Sequence, residues 1–136
     1  MKWTVDASHL PVYLRVRAEG ELTREKYVGM WADILSNENW KPGLSVLVDG
    51  RELKPIAAEN AQGMVTELAN YFADRAGDIG PSHIARLVSK VNFQNARTFQ
   101  YALKTRDLPM VFQIFLLEDD AITWLNYFDR QAPIHR

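Results

Sequence analysis

Leu44-Ser45-Val46-Leu47-Val48 is a short apolar run with Pro42-Gly43 before it and Asp49-Gly50 after it. A run of this length between turn signals reads as a strand buried on both faces. Two further runs, Ile84–Val88 and Met110–Leu117, have the same character. Each of the three is followed by a stretch with apolar residues at helical spacing. Alternating strands and helices predict an α/β fold with a mostly parallel sheet under helical cover.

Working toward the N-terminus, Trp3–Val5 and Pro11–Arg17 are rich in β-forming residues. Val12, Leu14 and Val16 alternate with Tyr13, Arg15 and Arg17, the pattern of a strand with one buried face. The two segments are expected to form a hairpin across Asp6–Leu10. Thr23 is a good helix N-cap, and Glu25 suits the positive end of the helix it opens. Tyr27, Met30, Trp31, Ile34 and Leu35 form its apolar face. That helix is expected to end near Asn37–Asn39.

Working toward the C-terminus, Asp49-Gly50 could make a hairpin turn, but the polar Arg51–Pro55 favours a loop. A helix opening near Pro55 would bury Ile56, Met64, Leu68 and Phe72 and stop near Gly77, with Asp78–Pro81 as a loop. Asn92 would cap a helix lined by Ala96, Phe99 and Leu103, broken at Asp107-Leu108-Pro109. Glu118–Asp120 would open a last helix, where the dipole favours acids, with Ala121, Ile122 and Leu125 inward. The expected order is β-β-α-β-α-β-α-β-α, about five strands and four helices in one domain over residues 1–136. Residues Gln131–Arg136 carry no structural signal and are expected to be a tail.

The chain has 136 residues, a formal charge of −1 and no cysteine. The near balance of charge argues against nucleic acid as a partner. Without cysteine there are no disulfides, thiolate nucleophiles or cysteine zinc sites. No stretch reaches the roughly 18 apolar residues of a membrane span. Met1–Gly20 lacks the apolar segment of a signal peptide, so a cytoplasmic location is expected.

Few residues stand out as chemistry. His9, His83 and His135 are scattered and do not converge as metal ligands. Ser89 lies where a strand ends and a helix soon begins, but no paired base accompanies it. Asp49 closes an apolar strand, where open α/β sheets collect ligands, and Arg51 follows. The blander role for Asp49 is to bind nearby backbone amides in the turn. Between Ser82 and Arg106 there are five basic residues, Arg86, Lys90, Arg97, Lys104 and Arg106, and no acid. Lys90 and Asn92 would be the first contacts of an anion at the helix start. Lys104 and Arg106 are explained equally well by the helix dipole, and exposed cations are usually just solvated. The aromatic content, including Trp3, Trp31, Trp40 and Trp124, fits a core or an apolar ligand pocket.

Four phrases in order, Gly20–Thr23, Val46–Arg51, Ile84–Ser89 and Ile114–Leu125, resemble the STAS-like family of sporulation anti-sigma-factor antagonists, in a branch related to CRAL-TRIO lipid-binding domains. The resemblance spans about Val12 to Leu125 and implies a central sheet with about four helices and a non-enzymatic role. It also implies a regulatory serine at the start of the helix after the Val48-Asp49 strand. Here that stretch reads Leu53-Lys54-Pro55-Ile56-Ala57-Ala58 and offers no hydroxyl to phosphorylate.

Taken together, the residues point to a non-enzymatic binding or regulatory module, working first through protein–protein interaction. The alternative is a carrier or sensor of a small apolar or lipid-like ligand. The candidate contacts are Asp49, Arg51, Ser89, Lys90, Asn92 and Arg97, with no cofactor or metal. An enzyme built on Asp49, Arg51 and Ser89 is the weakest reading, because no convergent roles are visible. A homodimer is possible, with loop residue Trp40 as the exposed aromatic that would favour it.

Overall fold

The three apolar runs become neighbouring parallel strands. The computed structural model describes residues 1–56 and 58–131. Its strands are β1 (Lys2–Asp6), β2 (Leu14–Gly20), β3 (Val46–Leu53), β4 (His83–Leu87) and β5 (Val111–Phe115). They lie in the order β1-β2-β3-β4-β5, with β1 antiparallel to β2 and every other pair parallel. The helices are α1 (Arg24–Ser36), α2 (Ala58–Asp74), α3 (Ala76–Ile79), α4 (Phe93–Lys104) and α5 (Glu118–Gln131). A 3-10 turn at Lys90–Asn92 leads into α4.

Each face of the sheet has its own core. On the first, Leu14, Val16, Val46, Val48, Ile84 and Phe112 pack against α1, α2 and α4. Phe72 of α2 is the hub, in ring contact with Tyr27, Trp31, Phe99 and Phe112. On the second face Leu47, Ala85 and Leu87 meet Ala121 and Leu125 of α5. Tyr13 belongs there too, buried rather than solvent-facing, which corrects its place in the β2 alternation.

Local signals set the helix ends. Thr23 caps α1 by accepting from the Lys26 N–H at 3.2 Å, and Asn37 closes it. Glu118, Asp119 and Asp120 occupy the first turn of α5, as the dipole requires. Asn92 precedes α4 but does not cap it with its side chain. Its Nδ2 instead donates to the Leu53 carbonyl at 3.1 Å. Pro55 lies before α2 rather than in its first turn, and the expected loop after Gly77 begins with the short α3.

The largest departure from expectation is the length of β3. Asp49 does not end the strand, and Arg51 is not in a loop, because β3 runs on to Leu53. Arg17–Glu19 of β2 stands opposite Asp49–Glu52, so β3 carries one extra residue there. Such a bulge re-aims the side chains that follow it. Leu53 thereby turns into the first core, whereas strict alternation from Val48 would have placed it on the opposite face. At the C-terminal end, β5 stops at Phe115, leaving Leu116 and Leu117 exposed. Gln131 closes α5, and the remaining expected tail, residues 132–136, lies outside the described residues.

Candidate functional site

Two places attract attention, on opposite faces of the sheet. On the α5 face, Asp49 is 5 % exposed and held by two arginines. Arg51 donates from Nε to Oδ1 at 3.0 Å and from Nη2 to Oδ2 at 2.8 Å. The Arg51 N–H adds 3.2 Å to Oδ1, and Arg15 Nη2 reaches Oδ2 at 3.2 Å. Arg15 also bonds Glu118 at the start of α5. Burial pushes the Asp49 carboxyl upward, but the Arg51 bonds and the two positive charges outweigh it and leave it below the usual carboxylate range. Each group in this cluster already has its counter-charge. It ties β2, β3 and α5 together and leaves little unmet demand for a ligand.

The second place is a cavity of about 50 Å³ on the other face, at the C-terminal ends of β2, β3 and β4. Ala18, Val48 and Leu53 form its floor, Val65 and Leu68 of α2 its roof, and Phe99 of α4 one wall. Ligands in open α/β sheets collect at this end of the strands. Gly50 helps to keep the space open, because a Cβ there would stand 3.0 Å from Leu53 Cδ1. A half-buried apolar rim of Met1, Leu22, Ile56 and Met64 surrounds it.

The polar groups on this apolar wall are under-satisfied. Tyr27 is 1 % exposed, and its hydroxyl has no hydrogen-bond partner. The Nε of Arg86 and the Oδ1 of Asn92 are likewise buried and unpartnered. Two rings face the guanidinium, Tyr27 at 5.8 Å and Phe99 at 5.1 Å from centroid to Cζ. Native proteins leave few buried polar groups unpaired, so several in one cavity need a cause.

Three of the six candidate residues fall in these places and three lie outside both. Asp49 and Arg51 join the ion cluster. Asn92 lines the cavity. The Ser89 hydroxyl is buried without a partner, and no contact among the described residues ties it to Asp49 or Arg51. Lys90 and Arg97 are exposed, Arg97 lying over Phe93 at 5.9 Å. Arg86 and Tyr27 were not among the candidates. The signal for Arg86 was its place inside an apolar run, where Ile84, Arg86 and Val88 share one face of a strand. Tyr27 reads as an ordinary core aromatic. Trp40 is half-buried, packs on the first core and donates from Nε1 to the Asp78 carbonyl at 3.0 Å. Among the described residues there is no metal-binding group of His, Cys, Asp or Glu, and no helix is long and apolar enough to cross a membrane.

No family model matches the chain, and no curated protein does. A solved structure from Shewanella loihica PV-4, an uncharacterized protein of the DUF3478 family with a SpoIIAA-like fold, is similar to it. The TM-score is 0.52 at 21 % identity, over 91 % of this chain and 92 % of that one. The likeness shows that this chain has a SpoIIAA-like fold.

Proposed function

We propose that this chain is a non-enzymatic binding module whose working site is the cavity under α2 and α4, where it holds a small, largely apolar ligand. The observation that carries this reading is an apolar space at the strand ends whose buried polar groups lack partners. Ligand sites commonly combine apolar walls with a few polar anchors. The ion cluster at Asp49 offers no such vacancy, because its charges pair with one another. About 50 Å³ is several times the roughly 10–15 Å³ that one ordered water needs, so the space holds a few water-sized groups. The inner part of the cavity therefore takes a compact group, with the remainder of a ligand at the open rim. The lipid-like ligand implied by a CRAL-TRIO relation would need its tail to leave across the rim.

Hexanol tests this reading as a neutral apolar probe. Wild-type protein is expected to bind it, with a rise in melting temperature. Val65→Phe, which fills the roof, is expected to lose that rise while keeping its circular dichroism spectrum. An equal response from both proteins would place the probe elsewhere and overturn the reading.

A second reading, a protein partner, has one specific observation in its favour. Val91, Arg97, Tyr101 and Lys104 are all exposed along the 3-10 turn and α4, with Val91 at 67 % and Tyr101 at 71 %. A basic stripe with exposed apolar side chains suits an acidic partner. Loss of a co-purifying partner in Arg97→Glu/Tyr101→Ser, with the cavity probe still bound, would favour this second site.

A further inference from the structure

We infer that the ligand of the Arg86 cavity is a monocarboxylate, its carboxyl group received by the Arg86 guanidinium and the Tyr27 hydroxyl. This deepens the proposal above and rests on it.

Arg86 sits on β4 and points into the first core, where its Nε is buried without an acceptor. Among the described residues no carboxylate lies within ion-pair distance of it. The Tyr27 and Phe99 rings meet the charge of the guanidinium through their faces. They do not accept its in-plane N–H bonds, which point along the edges of the group. The Tyr27 hydroxyl adds a further buried, unpartnered group to the same wall. The cavity thus presents two donors and one positive charge against apolar surroundings, with the Asn92 Oδ1 as a single acceptor on the same wall.

A carboxylate answers the Arg86 cation and the Tyr27 hydroxyl, though not the Asn92 Oδ1. It is acceptor-only, and its planar pair of oxygens matches the guanidinium fork. Its single negative charge equals the single cation on the wall. A phosphate dianion would carry an excess charge into an apolar space, which is costly without a second cation. The volume suits the carboxyl group and its first carbons, and the rim of Met1, Leu22, Ile56 and Met64 offers apolar surface to the rest of the ligand.

Calorimetric titration with hexanoate and hexanol, matched in chain length, tests this at neutral pH. Wild type is expected to bind hexanoate at least roughly 10-fold more tightly than hexanol, the size of one charge-assisted hydrogen bond. Arg86→Met is expected to weaken hexanoate by roughly 10- to 150-fold and to leave hexanol nearly unchanged. Tyr27→Phe is expected to weaken hexanoate alone, by roughly 3- to 10-fold. Should Arg86→Met not fold, the wild-type preference and Tyr27→Phe decide the matter. Equal affinity of wild type for the two probes overturns carboxylate recognition but leaves an apolar pocket standing. Binding of neither probe overturns the pocket as well. Dodecanoate separates free short acids from longer-chain ones: tighter binding than hexanoate, or no gain, supports carboxylate recognition in either case and sizes the ligand.

Discussion

Asp49 and Arg51 stand two residues apart on β3 and close on each other through a forked pair of hydrogen bonds, 3.0 and 2.8 Å long. The pair sits beside a bulge, so strand and ion pair together define this edge of the α5 face. Asp49 is buried, whereas Arg51 is exposed and Arg15 is partly so. Asp49→Ala would leave Arg15 and Arg51 to share Glu118 alone. A broken buried pair costs about 3–5 kcal/mol, and solvent access to the arginines reduces this to about 1–3 kcal/mol. Urea unfolding checks the figure. Hexanol and hexanoate affinity are expected to stay at the wild-type level, which separates this cluster from the cavity.

Acid should weaken the fold in two separate windows. His83 stacks on Phe128 at 3.8 Å and meets Trp124 at 5.5 Å, and burial lowers its pKa below the ordinary 6.5. The unfolded chain then binds a proton before the folded one does. Stability is full above about pH 6.5 and falls as pH drops from there toward the folded pKa of His83. Asp49, also lowered, contributes stability above its unfolded value near 3.9 that is lost at still lower pH. Melting temperature measured against pH should show both declines. His83→Phe should remove the first and leave the second.

Phe72 is fully buried and touches five other rings in and around the first core. Phe72→Ala is expected to cost about 3–5 kcal/mol in urea unfolding, from lost transfer energy and the cavity left behind. Tyr101→Ala, at an exposed position on α4, should change stability by no more than about 0.5 kcal/mol.

Two glycines should respond with opposite sign. Gly80 has φ +70°, and a Cβ would meet Gly43 N and Pro42 Cβ at 3.0 Å. Gly80→Ala is therefore strained as well as crowded, and is expected to destabilise by about 1–3 kcal/mol. Gly63 lies inside α2 with open space around its Cβ position. Gly63→Ala is expected to stabilise by about 0.5–1 kcal/mol. Thermal unfolding of the two variants checks both signs.

The order of strands and helices is legible in the sequence because three apolar runs and several end signals agree with one another. Thr23, the Glu118–Asp120 turn and the Ala96–Phe99–Leu103 stripe each take the place their local chemistry demands. The extension of β3 is not legible. Charged residues fill its second half, and a bulge breaks the period-two pattern there. The cavity is hidden for a different reason. Its polar groups come from α1, β4 and the turn before α4, and only the folded chain brings Tyr27, Arg86 and Asn92 to one wall. Arg86 gives a partial signal, a cation within an apolar run, but its net-charge context draws attention to the surface instead.

A heteronuclear NMR titration with hexanoate reads the cavity directly. The expected result is a saturable shift of the Arg86 side-chain Nε–H, with methyl shifts at Val65, Leu68 and Ala96 and none at Val91 or Tyr101. Saturable shifts confined to the outer stripe of α4, or no saturable shift at Arg86, would contradict a carboxylate site beneath α2 and α4.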